Sequence, residues 1–151
     1  MKLAEALMLR ADTQKKLASL RERIAQNAVV QEGDKPHEDP LKLLKEAAGV
    51  LDELEGLVTR INAANQTAKL PDGRTLMEAI ARRDTLTQRH SLLRSALEGG
   101  KREPFRYSVR EIKWVATVDV SKLQKQAEDL AKQIRELNAL IQETNWKVEL
   151  D

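Results

Sequence analysis

The chain has no cysteine among its 151 residues. Disulfides, thiolate nucleophiles and cysteine-ligated zinc are therefore excluded. Aromatic residues make up only 3%, a composition that favours long helices over a sandwich or barrel. No apolar run approaches the ~20 residues of a membrane span. Charge of one sign is not in excess either. Lys and Arg number 26 against 24 Asp and Glu, for a net charge of +2. A dedicated nucleic-acid binder should carry a denser basic patch. The opening "MKLAEALMLRADTQKK" has Glu5 inside its apolar part. A signal peptide needs an uninterrupted apolar stretch and a cleavage site. These absences predict a soluble, cytoplasmic protein with no membrane association.

What the sequence has is Leu and Ala at helical spacing. A first segment, from about residue 2 to 30, carries Leu3, Leu7, Leu17, Leu20, Ile24 and Ala28 on one stripe. Gly33, Pro36 and Pro40 end it in the acidic loop "EGDKPHEDP". Asp39 with Pro40 marks the start of a second helix. Its stripe reads Leu44, Ala47, Leu51, Leu54, Val58, Ile61 and Asn65. "PDG" at 71–73 is a turn, and Thr75 with Glu78 forms a capping box for a third helix. That helix is expected to end before Gly99-Gly100. Residues 101–119 gather Phe105, Tyr107, Trp114 and β-branched residues, and "IKWVATV" reads as a strand. "AVVQE" at 28–32 is its candidate partner. Asp119 or Ser121 caps a fourth helix with the stripe Leu123, Ala127, Leu130, Ile134, Leu137 and Ile141. The final "WKVELD" reads as a further short strand.

The predicted fold is mainly all-α. It is an elongated up-down-up-down helical bundle, with short β segments near residues 28–32 and 107–118. Residues 1–151 form a single helical-bundle domain. Helices of this length in a thin bundle expose apolar faces, which predicts a homo-oligomer, a dimer or higher.

One segment raises a functional question. "LMEAIARRDTLTQRHSLLRSAL" at 76–97 places Arg83 and His90 on the stripe Leu76, Ala79, Leu86, Leu93, Leu97. The up-down topology would bring Arg10, on helix 1, to the level of Arg83. Buried guanidiniums need anions, because unpaired charge in a low dielectric is too costly. Carboxylates within reach are Glu136, Asp84, Glu55 and Asp12. The same end gathers Asn62, Asn65, Asn145 and Trp146, beside the N-terminus of helix 3, which suits an anion. A candidate ligand site for a small anion or nucleotide-like group therefore comprises Arg10, Asn62, Asn65, Arg83, Asp84, Asn145 and Trp146. The competing reading is a network of ion pairs and amides that fixes register or oligomeric state. His90 lies deeper and would need Asp129 or Asp52 to act as a base; a structural role is the plainer reading. His37 sits in the acidic loop, exposed.

No catalytic, metal or cofactor signature is present. "DELE" at 52–55 is the only acid cluster on helix 2, and Glu136 and Glu143 are two turns apart, too far to share one metal ion. No GxSxG, P-loop or HExxH motif occurs. Residues 101–113, "KREPFRYSVREIK", interleave basic residues with Phe105 and Tyr107, as a weak nucleic-acid strip would. The alternative is an aromatic mini-core at the bundle end.

The pieces "RINAAN", "DGRTLMEAIARRD", "TVDV" and "IQETNW", within a likeness spanning nearly the whole chain, resemble the bacterial septicolysin-like family of small proteins. The resemblance implies a helical, soluble bacterial protein and carries no mechanism over to particular residues. A pore former would need inserting hairpins or amphipathic strands, and none is evident. The sequence thus points to a non-enzymatic, self-associating bundle that acts through partner binding. The alternatives are a small-ligand binder or enzyme using the polar cluster, and a nucleic-acid binder using residues 101–113.

Overall fold

The structure, a computed structural model, describes residues 1–101 and 112–150. It is all-α. Four helices follow in order: α1 (Leu3–Asn27), α2 (Pro40–Thr67), α3 (Leu76–Lys101) and α4 (Val120–Lys147). The chain divides into two compact units. One is Met1–Lys69 with Gln142–Asp151; the other is Leu70–Ile141.

The first unit is built on an antiparallel α1–α2 hairpin. Leu20, Leu43 and Val50 form a buried cluster, with Leu17, Ile24 and Ala47 packed against it. The loop between the helices is closed by side chains. Arg23 Nε donates to Glu38 at 2.8 Å, and Asn27 Oδ1 accepts from the Glu38 backbone N–H at 3.1 Å. Gly33 sits at φ +89°, a left-handed conformation that glycine adopts at no steric cost. Asp39 caps α2 by accepting from the Leu41 N–H at 2.9 Å, and Pro40 occupies the first turn. At the other end of the chain, Leu3 N–H donates to the Val148 carbonyl and Leu150 N–H to that of Met1. An isolated antiparallel bridge pairs Lys2 with Glu149.

The second unit opens on a tight turn. Gly73, at φ +87°, donates to the Leu70 carbonyl, and Leu70 N–H donates to that of Arg74. Thr75 and Glu78 then form the expected reciprocal box. Glu78 accepts from Thr75 N–H at 2.8 Å, and Thr75 Oγ1 accepts from Glu78 N–H at 3.2 Å. α3 and α4 line shared hollows in antiparallel register. Arg82 and Leu86 accompany Glu136 and Leu140 at one level, and Leu97 and Lys101 accompany Gln124 and Ala127 at another. Leu76, Ala79, Leu86 and Leu97 are buried on α3; Ala127, Leu137 and Ile141 are buried on α4. Asp119 caps α4, accepting from the Lys122 N–H at 3.0 Å.

Three expectations are corrected. The β segments are not strands: residues 28–32 and 112–118 form none, and residues 107–111 lie outside the described residues. A strand needs an edge to pair with, and these segments are exposed, with Val29 at 79% and Val115 at 73%. α3 also does not stop before Gly99-Gly100 but runs to Lys101. Glycine in a helix costs only about 1 kcal/mol. At Gly100 the absent side chain makes room, since a Cβ there would stand 3.2 Å from Val118 Cγ2. Finally, the first half of the α2 stripe is rotated by one residue. Leu43 and Val50 are buried, whereas Leu44 and Leu51 are about half exposed (51% and 53%).

Leu20 is 1% exposed at the centre of the α1–α2 cluster. Leu20→Ala should cost about 2–5 kcal/mol, as cavity-forming leucine truncations do. Leu41→Ala, at a residue 74% exposed, should stay within about 0.5 kcal/mol of the parent. Urea denaturation followed by circular dichroism checks both.

Candidate functional site

Arg83 is the residue whose charge the sequence left unbalanced. It sits on α3 with its side chain 29% exposed. Its Nε and Nη2 donate to Asp84 Oδ1 at 3.3 and 3.2 Å, and its Nη1 donates to Asn138 Oδ1 at 3.2 Å. The carboxylate anticipated at Asp84 is therefore in place. The guanidinium also ties α3 to α4 through an amide that the sequence reading did not single out. Asn138 follows the stripe residue Leu137 in sequence.

The other five candidate residues belong to the first unit. Arg10 is half-buried on α1; Asn62 is exposed and Asn65 half-buried near the end of α2. Trp146 is 53% exposed. Asn145 is different: it is only 4% exposed, and among the described residues its Oδ1 has no hydrogen-bond partner. A buried acceptor left unpaired costs about 1–3 kcal/mol.

A hollow of about 330 Å³ lies between the last turns of α2 and the segment after α4. Arg60, Ala64, Thr67, Val148 and Glu149 line it, and none of the five predicted residues does. Glu149 is held from the other side. The Met1 amino group stands 3.2 Å from it, and Lys2 pairs with its second oxygen. The Lys2 hydrogen bond, then that of the amino terminus, holds the Glu149 carboxyl below its ordinary value of 4.5. The only sequence signal for this site was the strand-like "WKVELD".

In the second unit His90 is half-buried and opens onto a hollow of about 320 Å³ with Arg94, Glu98, Lys101 and Glu128. Asp129, proposed as its orienting partner, lines a different groove with Leu92, Leu93 and Leu130. Consecutive helix positions face about 100° apart; Glu128 takes the His90 side of α4 and Asp129 the other. Among the described residues no group of three His, Asp or Glu is placed to hold a metal ion. Phe105 and Tyr107, on which the nucleic-acid reading turns, lie outside the described residues.

Two further carboxylates are held in their charged form at loops. Glu38 is lowered from 4.5 by its hydrogen bond to Arg23. Asp72 is lowered from 3.8 by the Arg74 side chain, at 2.6 and 2.9 Å, and by the Arg74 backbone N–H.

Two helix pairs, α1 with α2 and α3 with α4, define a helical-bundle protein. Residues 10–150 match a family described as "Family of unknown function (DUF6847)". The chain belongs to that family. A solved structure shares 37% identity and a TM-score of 0.93, over 100% of this chain and 99% of the other. It is described as the "Crystal structure of a functionally unknown conserved protein from Corynebacterium diphtheriae". No curated protein matches the chain.

The lowered carboxylates set a pH response. A carboxyl whose folded pKa is depressed contributes stability above its unfolded value and loses it as pH falls through the folded value. The melting temperature should stay level from about pH 7 to 5 and drop below about pH 4.5. The triple variant Glu38→Gln/Asp72→Asn/Glu149→Gln should show a shallower drop. Scanning calorimetry across pH 3–7 (about one unit per step) reads both slopes.

Proposed function

We propose that the protein is a non-enzymatic, self-associating helical bundle that acts through partner binding, in the cytoplasm. The observation that carries this reading is apolar surface placed at helical spacing. On α2, Leu41, Leu44 and Leu51 are 74%, 51% and 53% exposed. On α3, Met77 and Leu92 are 51% and 72% exposed. Single exposed leucines are ordinary, but apolar side chains recurring along one helix face are what partner helices bury. The septicolysin-like resemblance adds no mechanism to this proposal. Among the described residues no helix is long and apolar enough to cross a membrane.

A second reading, small-ligand binding at the end holding Asn65, Asn145 and Trp146, is favoured by the orphaned Asn145 oxygen. That oxygen is an acceptor, so it suits a group that donates, such as a hydroxyl or ammonium, better than the bare anion suggested by the arginines.

Sedimentation velocity over a hundredfold dilution series (on the order of 1–100 µM, the range of weak homodimers) should show a dimer or larger species that dissociates on dilution. A monomer throughout overturns the main reading. For the second, a thermal-shift screen should find stabilisation by amines or polyols over phosphate, nucleotides and carboxylates. Uniform silence removes it.

A further inference from the structure

The second unit carries a groove whose two walls have opposite charge. Two hollows of about 530 and 240 Å³ meet at Gln133, and both are lined by α3 and α4. The floor is leucine: Leu93 and Leu130 in one, Leu86 and Leu137 in the other. The α3 wall carries Arg89 beside the first hollow and Arg82 beside the second. The α4 wall carries Asp129 beside the first and Glu136 beside the second. All four charged side chains are exposed. Each like-charged pair is seven residues apart, two helical turns, so each wall presents a row.

We infer that this groove is the seat of a second copy of the chain, packed face to face about a two-fold axis running parallel to the helices. In a face-to-face pair the two-fold lies in the interface and makes it self-complementary. An axis along the helices lays α3 of one copy over α4 of its partner at the same level. Arg82 then meets the partner's Glu136, and Arg89 meets the partner's Asp129, twice over. An axis across the helices would lay the arginine row on the arginine row and the acidic row on the acidic row. Like charges opposed across an interface are strongly disfavoured. The charge pattern therefore selects one of the two arrangements. Leu92, 72% exposed at the groove edge, gains an apolar surface to cover it. Within its own chain Glu136 stands 3.9 Å from Lys132, between two well-exposed side chains. Such a contact is weak and easily exchanged.

This inference rests on the self-association proposed above and adds the face and the axis. Its test is a charge swap in the full chain, read by sedimentation equilibrium. One variant is Arg82→Glu/Arg89→Glu, and the other is Asp129→Arg/Glu136→Arg. Each alone should raise the dimer dissociation constant at least about tenfold, because each makes both walls alike. Mixed in equal amounts they should form a heterodimer of near parental affinity. Should a reversal fail to fold by circular dichroism, Arg82→Gln/Arg89→Gln gives the same test with a smaller expected rise. Variants that dimerise like the parent overturn this face and leave self-association standing. Weakened variants whose mixture stays monomeric overturn the two-fold pairing. A parental chain that is itself monomeric overturns both readings.

Discussion

The structure depends on one constraint: a helix of 25 to 28 residues must bury a leucine stripe against another helix. Backbone hydrogen bonding alone leaves such helices marginal in water. In the first unit α1 and α2 meet this need through Leu20, Leu43 and Val50. In the second, Leu86 and Leu97 on α3 and Ala127 and Leu137 on α4 do so. A stripe buries one side of a helix only. Charged residues, 33% of the chain, cover much of what remains, and the apolar positions left over, such as Leu41, Leu51 and Leu92, are the surface that the proposed self-association would bury.

Polar groups hold the pairs in register more than they stabilise them. Arg23 with Glu38 and Arg74 with Asp72 are exposed pairs within a short stretch of chain. Pairs of this kind contribute modestly to stability, but they fix where the chain turns. Arg83 does the same across α3 and α4, holding Asp84 and Asn138 at once. Its position on the core stripe is tolerable because it is not fully buried and each of its three nitrogens makes a hydrogen bond.

The α3 stripe was legible because Leu76, Ala79, Leu86, Leu93 and Leu97 all fall on one 3-4 register, with Arg83 and His90 filling its gaps. On α2 the doublets Leu43-Leu44 and Val50-Leu51 offer two equivalent stripes, and only packing against Leu20 decides between them. The Asp39 cap and the Thr75–Glu78 box were readable because capping is local. The strand reading of residues 28–32 and 112–118 failed because β-branched composition says nothing about whether an edge is present. Of the candidate site, the Arg83–Asp84 pair was readable, being adjacent in sequence. The Asn145 oxygen, Asn138 and the lining of the Glu149 hollow were not, since they depend on which side chains the tertiary fold brings together. The opposed charged rows of α3 and α4 were written in the sequence at seven-residue spacing, yet they acquire meaning only once the two helices share a groove.

The loop joining α1 to α2 has a consequence for how the first unit assembles in time. Its closing contacts span 11 and 15 residues, from Asn27 to Glu38 and from Arg23 to Glu38. A loop of that size closes in about 10–100 ns, so the hairpin's register can be sampled many times before anything distant arrives. The pairing of Met1 and Lys2 with Glu149 belongs to the same unit but joins remote parts of the chain. By loop-closure entropy it costs about 2 kcal/mol more than the hairpin turn. The leucine seam between α1 and α2 is therefore free to form before that remote contact closes.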